Sequence, residues 1–477
     1  MKHITIRDIL HATDGDLVVM GDPEEDKQSD ILSFELKDVC IDSRKAKAKD
    51  LFCPLPGENT DGHKFIASAM KFAAASLTDW APEQIYPTPE ARKEAEERQD
   101  VLIRVENAEE AYYKVGAYIR THYEPTVIGV TGSVGKTTTR QMIAAALSGS
   151  REVYETEGNL NSKIGIPIVT SRMLDQPSEV AVLEMGIDRI GEMDIEYSIA
   201  RPEIAVVTMI GTCHIEYLGS REGIRTEKLK IAGPDTVLFL NGDDPLLSGM
   251  RGKTEAKEVL FYGFSENSDY RAEDLQKDGS GYSFTFVHED TRVPVELTIP
   301  GRHNVKNALV AMAICDYLGL DLSSAAEKLK SFKGLRQVFR KTKAGTTVID
   351  DVYNASPDSM KAALQVLTEE KTAGRRYAVL GDMFELGPDE LKFHKEVGDT
   401  FPEYKVDCLI TVGELIKGLE EHAVTVCPEL KAVHFETLDE ATEYLKENLM
   451  PEDIVLLKAS HGMHFDQIVK EICELSE

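Results

Sequence analysis

The stretch that decides the fold reads Thr126-Val-Ile-Gly-Val-Thr-Gly-Ser-Val-Gly-Lys-Thr-Thr-Thr-Arg-Gln-Met-Ile-Ala-Ala-Ala-Leu-Ser148. A short β-branched run comes first, then a glycine-rich turn, and then a lysine followed by an apolar helical pattern. Strand, glycine loop and helix in this order are typical of a phosphate-binding loop, because backbone N–H groups and the helix N-terminus can surround phosphate oxygens. The sequence therefore predicts a nucleotide site formed by Gly132, Ser133, Val134, Gly135, Lys136, Thr137 and Thr138.

This loop is shorter than the general G-x-x-x-x-G-K-[ST] pattern, because Val130 stands where that pattern has its first glycine. Lys136 offers a mobile cation, and the hydroxyl of Thr137 is a potential ligand of Mg²⁺. The alternative interpretation is a glycine turn that merely carries a surface lysine.

Length and composition limit the class of protein. A chain of 477 residues is too long for one ordinary core, so two to four domains are expected. The formal net charge of −29 disfavours nucleic acid as a partner. The N-terminal residues lack the apolar region of a signal peptide, and no apolar run reaches the length of a membrane span. Seven scattered cysteines without a C-x-x-C pair indicate a reducing cytoplasm and no zinc site.

The pattern of apolar segments predicts an α/β protein with three domains, at residues 1–105, 106–332 and 333–477. The first is a small α/β domain, in which residues 82–100 are interpreted as a polar insertion or loop because of their prolines. Short apolar runs predict parallel strands in the second and third domains. Alternating segments within 257–299 predict a small antiparallel sheet in the second domain.

Several polar residues follow predicted strands of the second domain. Glu184 ends an apolar strand, where a carboxylate can hold Mg²⁺, although an exposed strand-end acid is the alternative. His214 follows the next strand, which favours a role toward Mg²⁺ or substrate over a purely structural one. Asn304 and Asn307 begin a helix and could pair with the edges of a base, or Asn304 could cap the helix.

Two other groups of polar residues lie outside the nucleotide loop. Ser43, Arg44 and the Asp61-Gly62-His63 turn could hold a phosphate or a sugar, and the alternative is a polar turn capped by Asp61. In the third domain, Asp350 and Asp351 end one strand and Lys458 ends another. Ligands of parallel sheets bind at such carboxyl ends.

The ordered set of these motifs resembles the Mur ligase superfamily. The set includes the shortened loop, Gly158-Asn159-Leu-Asn161, Glu184-Met-Gly, His214-Ile-Glu and Gly301-Arg-His-Asn-Val-Lys-Asn. It continues with Asp351-Val-Tyr-Asn354-Ala-Ser-Pro-Asp-Ser-Met and Gly381-Asp-Met-Phe-Glu385-Leu-Gly387, and covers nearly the whole chain. The last stretch is most similar to members that join D-alanyl-D-alanine to UDP-N-acetylmuramoyl-tripeptide.

The resemblance implies a UDP-sugar-binding N-terminal domain, a central ATPase domain and a C-terminal Rossmann-like domain. It implies ATP and Mg²⁺ as cofactors, an acyl-phosphate intermediate, no nucleic acid partner and a cytoplasmic monomer. The implied metal ligands are Thr137, Glu184, His214 and Lys228, the last as a carbamate. Lys136, His214, Lys228 and Arg336 are the implied catalytic residues.

The remaining implied contacts concern the nucleotide and the substrates. Asn304 and Asn307 would face adenine, Asp351 the ribose and Arg336 the γ-phosphate. The implied substrate-binding residues are Ser43, Arg44, Asp61, Gly62, His63, Asn159, Asn161, Asn354 and Ser460.

Some positions depart from the family pattern. Met209 stands where asparagine is usual, Lys230 where an acid is common, and His461 where arginine is common. Three alternatives therefore stay open: a paralogue with another acceptor, a polyglutamate-type ligase, and a degenerate nucleotide-binding scaffold. About 125 residues precede the loop in this chain, whereas polyglutamate-type ligases begin close to their loop. This difference disfavours the polyglutamate-type alternative.

Overall fold

The structure, a computed structural model, describes residues 3–21, 25–57, 59–176, 178–334 and 337–474. These residues form three β-sheets, with helices between many successive strands. The α/β class expected from the sequence is confirmed. Within the described ranges, no helix is both long enough and apolar enough to cross a membrane.

The chain divides into two compact units. Unit 1 consists of residues 1–129, 151–187 and 191–204, and unit 2 consists of residues 130–150, 188–190 and 205–477. The three domain boundaries given by the sequence analysis stay a prediction.

The N-terminal region forms the first sheet. Its elements are α1 (Ile6–Thr13), β1 (Asp16–Val19), α2 (Glu25–Leu32), β2 (Asp38–Cys40), β3 (Asp50–Phe52), α3 (Ile66–Ala69), β4 (Ala75–Thr78), α4 (Pro82–Ile85), α5 (Pro89–Arg98), β5 (Val101–Arg104) and α6 (Ala108–Arg120). The strand order is β1-β5-β4-β3-β2, and only β1 pairs in antiparallel fashion. Successive residues Val101, Leu102 and Ile103 alternate between two apolar clusters, so both faces of this sheet are covered.

The interpretation of residues 82–100 as a loop was wrong, because they form α4 and α5. Pro82 and Pro89 each occupy the start of a helix, where the missing N–H costs nothing and the fixed φ suits the helix. Tyr86 and Ala95 are buried in an apolar cluster of the first sheet. The segment is therefore part of the core.

The central region forms a nine-stranded sheet. Its elements are β6 (Thr126–Thr131), α7 (Lys136–Leu147), β7 (Val153–Glu155), α8 (Ile166–Met173), β8 (Val180–Glu184), α9 (Glu192–Ala200), β9 (Ile204–Val207), α10 (Ile215–Leu218), α11 (Arg221–Leu229), β10 (Val237–Asn241), β11 (Glu258–Gly263), β12 (Tyr270–Asp278), β13 (Gly281–His288), β14 (Thr291–Leu297), α12 (Arg302–Tyr317) and α13 (Leu322–Lys330). The strand order is β14-β13-β12-β11-β10-β9-β6-β8-β7. The predicted antiparallel strands are β12 to β14, and β12 pairs in parallel with β11, so they extend this sheet.

The C-terminal region forms a six-stranded sheet. Its elements are β15 (Val338–Lys341), β16 (Thr347–Asp350), α14 (Pro357–Glu369), β17 (Arg376–Gly381), α15 (Glu390–Gly398), β18 (Cys408–Val412), α16 (Lys417–Val426), β19 (Lys431–Phe435), α17 (Leu438–Asn448), β20 (Ile454–Lys458) and α18 (Asp466–Cys473). The order is β15-β16-β20-β17-β18-β19, with β15 antiparallel to β16 and the other pairs parallel. Tyr377 and Val379 face one apolar cluster and Ala378 and Leu380 the other, as in a sheet covered on both faces.

Candidate active site

The predicted phosphate loop lies between β6 and α7. Gly135 precedes α7 in a left-handed conformation with φ of 90°, and Gly132 has φ of 147°. A Cβ atom on Gly132 would lie 1.9 Å from the Thr208 hydroxyl oxygen. Both the backbone conformation and the close approach therefore require glycine at position 132.

The loop is fixed by the residues that follow β9, within unit 2. The Ser133 N–H donates to the Met209 carbonyl oxygen at 2.9 Å, and the Thr208 hydroxyl donates to the Val134 carbonyl oxygen at 2.6 Å. Met209 contributes here through its main chain, so this contact does not depend on the side chain that departs from the family pattern.

The polar groups of this loop fit an anionic ligand. The hydroxyls of Thr131 and Ser133 are buried, and among the described residues neither has a hydrogen-bond partner. Lys136 donates to the Gly132 carbonyl oxygen at 2.9 Å and is half-buried at the start of α7, with Thr137 and Thr138 next to it. Because buried hydroxyls normally find partners, unpaired groups beside a helix N-terminus and a lysine suit the phosphates of a nucleotide.

Asn304 and Asn307 are buried on α12 and pair with each other. Asn307 donates to Asn304 at 3.0 Å and accepts from the Thr139 hydroxyl of α7 at 3.0 Å, while Asn304 donates to the Pro300 carbonyl oxygen at 2.7 Å. The amides thus lie beside the phosphate-loop helix and keep one N–H each for a ligand. The alternative that Asn304 caps the helix was wrong, because Gly301 occupies that position.

Glu184 lies at the buried end of β8, in unit 1. Its carboxylate accepts from the Asn161 side-chain amide at 2.8 Å, and its N–H donates to the Thr156 hydroxyl at 3.0 Å. The alternative of an exposed strand-end acid was therefore wrong. Asn161, which the resemblance placed among the substrate-binding residues, orients this carboxylate, and Asn159 is exposed.

His214 and Lys228 lie in unit 2. The imidazole of His214 has Nδ1 at 2.7 Å from a Glu385 carboxylate oxygen and Nε2 at 3.2 Å from an Asp188 carboxylate oxygen. Lys228 lies in the last turn of α11 and is only 1% exposed. Among the described residues, His, Cys, Asp and Glu form no cluster of three that could hold a metal.

The predicted metal ligands offer donor atoms that differ in how well they suit Mg²⁺. The hydroxyl of Thr137 and the carboxylate of Glu184 are hard oxygen donors, which Mg²⁺ prefers. A carbamate on Lys228 would add another oxygen donor in place of a buried cation. These three oxygen donors fit this ion, whereas the imidazole nitrogen of His214 is a softer donor than Mg²⁺ prefers.

The N-terminal candidates make contacts of their own in unit 1. Arg44 holds Asp42 with two hydrogen bonds of 2.9 Å, and these lower the pKa of Asp42 to about 2. Asp61 caps the turn as the alternative interpretation expected, and its carboxylate lies 2.7 Å from Nδ1 of the buried His63. His63 stacks on Trp80 with ring centroids 5.1 Å apart, and Ser43 is half-buried.

Gly62 has a packing role in the same turn. A Cβ atom there would lie 2.7 Å from the backbone nitrogen of Leu55, so the turn closes tightly on the segment that precedes it. This close packing accounts for the glycine at position 62 without any need for a bound ligand.

The two acids at the end of β16 pair with different cations. Lys458, 2% exposed, donates to Asp351 at 3.0 Å and to the Asn354 carbonyl oxygen at 2.9 Å, whereas Arg340 donates to Asp350 at 2.8 Å. Asn354 is exposed, and Ser460 accepts from the Phe384 N–H at 2.9 Å. Arg336 lies outside the described residues.

Sequence reasoning assigned no role to Asp358, Glu385 or Asp188. Asp358 lies in the first turn of α14, where an acid is ordinarily read as a helix-dipole partner, and burial raises the pKa of its carboxyl group. Its oxygen is so close to Gly211 that a Cβ there would lie 2.3 Å away. The family-like stretches that contain Asp358 and Glu385 offered a signal for two of these three positions.

Comparison with known proteins gives three family matches. The Mur ligase family catalytic domain matches residues 35–117, the Mur ligase middle domain matches 130–315, and the Mur ligase glutamate ligase domain matches 336–461. Together they span most of the chain.

Full-length relatives agree with these matches. The chain is 37% identical over 443 residues to UDP-N-acetylmuramoyl-tripeptide–D-alanyl-D-alanine ligase of Bacillus subtilis, covering 91% of the chain and 93% of the relative. It is 30% identical to the enzyme of that name from Escherichia coli, covering 94% and 97%. A crystal structure of MurF from Acinetobacter baumannii superposes with a TM-score of 0.85 at 29% identity, covering 99% of both chains.

Proposed function

The chain belongs to the Mur ligase family, and we infer that it is the ATP-dependent ligase that adds D-alanyl-D-alanine to UDP-N-acetylmuramoyl-tripeptide in peptidoglycan precursor synthesis. The observation in the structure that carries the ATP-dependent part is the phosphate loop, where two buried hydroxyls beside Lys136 have no hydrogen-bond partner in the part of the chain that the structure describes. Similarity to relatives of that name over nearly the whole chain supports the identity of the substrates.

The proposed domains are a UDP-sugar-binding domain at residues 1–105, an ATP-binding domain at 106–332 and a Rossmann-like domain at 333–477. We expect the enzyme to act as a monomer in the cytoplasm. The absence of an apolar membrane-length run and the scattered cysteines support this location.

The reaction has two bond-forming steps. The terminal carboxylate of the tripeptide attacks the γ-phosphorus of ATP, and ADP leaves. The amine of D-alanyl-D-alanine then attacks the acyl carbon of the resulting acyl phosphate, and phosphate departs with the former carboxylate oxygen. Because two anions must approach each other in the first step, positioning and charge neutralisation supply most of the catalysis.

Residues of the central and C-terminal regions bind the nucleotide and neutralise its charge. The loop from Gly132 to Thr138 holds the phosphates, with Lys136 as the cation and Arg336 at the γ-phosphate. Asn304 and Asn307 use their remaining N–H groups toward adenine, and Asp351 binds the ribose.

Mg²⁺ would be held by Thr137, Glu184, His214 and carbamylated Lys228, and would supply positive charge between the phosphates and the carboxylate. The burial of Lys228 supports the modification, because a buried ammonium group without hydration is costly and a carbamate converts it into an anionic ligand.

The proposed substrate contacts come from loops that follow several different strands. Ser43, Arg44 and the turn from Asp61 to His63 hold the UDP portion. The remaining proposed contacts to the tripeptide and the dipeptide come from Asn159, Asn161, Asn354 and Ser460.

Phosphate release tests this function. Purified protein receives ATP, Mg²⁺, UDP-N-acetylmuramoyl-tripeptide and D-alanyl-D-alanine, and each component is omitted in turn. Release that needs both the nucleotide-sugar peptide and the dipeptide supports the ligase. Release with glutamate in place of the dipeptide would indicate a polyglutamate-type ligase, and nucleotide binding without any release would indicate a scaffold.

The variant Lys136→Ala links the reaction to the loop. We expect turnover to fall by at least about a hundredfold while the melting temperature stays close to that of the wild type, because the half-buried side chain contributes a hydrogen bond only to the Gly132 carbonyl oxygen among the described residues. Lys392→Ala, at an exposed ion pair on α15, is the matched control and should keep full activity. Full activity of the Lys136 variant would remove the loop from the mechanism.

A further inference from the structure

The segment that follows β9 connects the phosphate loop with α14 inside unit 2. Within this segment, a Cβ atom on Gly211 would lie 2.3 Å from an Asp358 carboxylate oxygen and 3.3 Å from the Ser133 Cβ atom. An acid of the C-terminal region and a serine of the phosphate loop therefore approach Gly211 at the same point. The hydroxyl of this Ser133 is buried and has no hydrogen-bond partner among the described residues.

The space around Gly211, and not its backbone, requires glycine at this position. Gly211 does not lie in the left-handed region, so its conformation carries no strain that would exclude alanine. The close approach of Asp358 is what leaves no room for a Cβ atom. A substitution at position 211 therefore tests this contact and not a special φ.

The main chain next to Gly211 is held by side chains of several elements. The Ile210 N–H donates to the Asp244 carboxylate at 2.7 Å, and the Arg221 guanidinium donates to the Ile210 carbonyl oxygen at 2.6 Å. Asp244 follows β10, Arg221 begins α11, and Asp358 lies in the first turn of α14. The segment is thus fixed from three directions along the sequence, one of which is the C-terminal region.

The burial of Asp358 is costly and needs a reason. Burial raises the pKa of its carboxyl group, whereas Arg221, Lys361 and the Thr212 N–H act in the opposite direction. An exposed acid in the first turn of a helix, such as Asp466 in α18, interacts with the helix dipole without this desolvation cost. The helix alone therefore does not account for a buried acid at position 358, whereas contact with the segment after β9 does.

We propose that Asp358 is a positioning residue of the phosphate loop: its carboxylate supports Gly211 beside Ser133 and so holds the loop in the conformation that binds the phosphates of the nucleotide. This proposal rests on the proposed function, which assigns the loop to ATP. Asp358 acts through Gly211 and not through the nucleotide. Binding sites depend on such supporting residues, because a small displacement of a binding group is costly.

Titration calorimetry with Mg²⁺ compares ADP, which places phosphates on the loop, with adenosine, which has none and is measured by displacement. We expect Asp358→Ala to weaken ADP binding about tenfold or more and to leave adenosine affinity within about twofold of the wild type. A loss confined to ADP cannot come from general destabilisation of the protein. Equal losses for both ligands, or an unchanged ADP affinity, would overturn the proposal.

Two further variants separate the contact from charge and from the helix. Asp358→Asn keeps the shape of the side chain and should retain most of the ADP affinity. Asp466→Ala removes the exposed first-turn acid of α18, is the matched control, and should bind ADP as the wild type does. An asparagine variant as weak as the alanine variant would assign the effect to charge, and an equal loss in Asp466→Ala would assign it to acids at helix starts. Either result contradicts the proposal.

Gly211→Ala tests the same contact from its other side and does not depend on the folding of an Asp358 variant. Its Cβ atom should displace the segment after β9 and weaken ADP binding about tenfold. In Gly211→Ala/Asp358→Ala the new methyl group occupies the space that the carboxylate has left, so ADP affinity should be higher than in Gly211→Ala alone. Strictly additive losses would show that the two residues do not act on each other, and the proposal would fail.

The outcomes also separate this proposal from the proposed function. Wild-type protein that binds ADP no more tightly than adenosine contradicts the nucleotide role of the loop, and both proposals fall. Tight ADP binding without phosphate release from the two substrates contradicts the substrate assignment and leaves the role of Asp358 standing. Normal phosphate release with unchanged ADP affinity in Asp358→Ala and Gly211→Ala contradicts the role of Asp358 alone.

Discussion

At the scale of single residues, the phosphate loop requires a residue without a side chain at position 132. The position of Gly132 against Thr208 leaves no space for a Cβ atom, and its backbone conformation excludes most other residues. The chemistry of the loop could be predicted from its residues, because Lys136 and the glycines follow a strand. The anchoring contacts from Thr208 and Met209 could not, because they lie more than seventy positions away in the sequence.

Gly132→Ala is expected to lower the melting temperature and to weaken ADP binding by at least about tenfold, because the loop must move to relieve the contact with Thr208. Gly279→Ala is the matched control, since Gly279 also has a positive φ, of 60°, but has open space around its Cβ position. Thermal unfolding and calorimetry of both variants check this. Equal effects in both would assign the cost to backbone conformation alone.

His303, next to the amide pair on α12, predicts a dependence of stability on pH. Burial lowers the pKa of its imidazole to about 4, although the nearby Asp351 opposes this shift. The unfolded chain therefore binds the proton more readily, and stability is lost as pH falls from about 6.5 toward 4. We expect His303→Gln to reduce this loss.

The measurement is the melting temperature of wild type and His303→Gln between pH 7.5 and 4.5, with His122→Gln on an exposed turn as the control. The melting-temperature curves of the wild type and of His303→Gln should converge or cross as pH falls. The curve of His122→Gln should stay parallel to that of the wild type. A pH-independent difference for His303→Gln would contradict the assignment.

At the scale of elements, short apolar runs correctly predicted parallel strands in the central and C-terminal regions, because parallel strands covered on both faces consist of unbroken apolar runs. The edge strand β15 was missed, since its four residues are partly or largely exposed and only Val338 and Phe339 are apolar. The helices at 82–98 were missed because proline was taken as a breaker, whereas at the first position of a helix it is an initiator. Position within an element decides what a proline does.

A second element-scale feature connects the β12–β13 hairpin with the end of α14. The Tyr282 hydroxyl donates to the Glu369 carboxylate at 2.5 Å, Lys277 lies 3.3 Å from the same carboxylate, and the Ser280 hydroxyl donates to Glu370 at 3.0 Å. Burial raises the pKa of the Tyr282 hydroxyl, and the bond to Glu369 adds to this. The phenol therefore acts as a donor at any physiological pH.

Tyr282→Phe should destabilise unit 2 by about 1–3 kcal/mol, because it removes one partner of a half-buried carboxylate. Tyr317→Phe, at an exposed phenol on α12, is the matched control and should cost less than about 0.5 kcal/mol. Urea unfolding of both variants gives the comparison. A neutral Tyr282 variant would mean that Lys277 and Gln365 together satisfy Glu369.

At the scale of the whole molecule, the candidate sites are distributed over the two units. The residues proposed for the UDP portion, at 43–63, lie in unit 1, whereas the phosphate loop and Asn304 lie in unit 2. A ligand that binds only the native form of a region stabilises it by about 2.7 kcal/mol at a hundred times its dissociation constant. Different nucleotides should therefore protect different parts of the chain.

Hydrogen exchange measures this directly. ADP with Mg²⁺ should slow exchange in α7 and α12, and a UDP-sugar should slow it in the segments around residues 43 and 61. Protection of both regions by ADP alone would contradict the separate assignment of the sites. The assignment of residues to ligands stays a prediction. The division of the chain into two units could not be predicted from the sequence, since unit 1 includes residues 151–187 and 191–204 from beyond the loop.

The stacking of Trp80 on His63 has an optical consequence. The chain contains one tryptophan, and it lies in unit 1 with an imidazole ring against it. Indole emission excited near 295 nm therefore comes from a single known position, and a neighbouring imidazole quenches it more strongly when protonated. The native protein therefore has an intrinsic fluorophore beside the proposed UDP contacts. Its emission spectrum reports on the surroundings of Trp80 in unit 1, and unit 2 contributes no tryptophan emission.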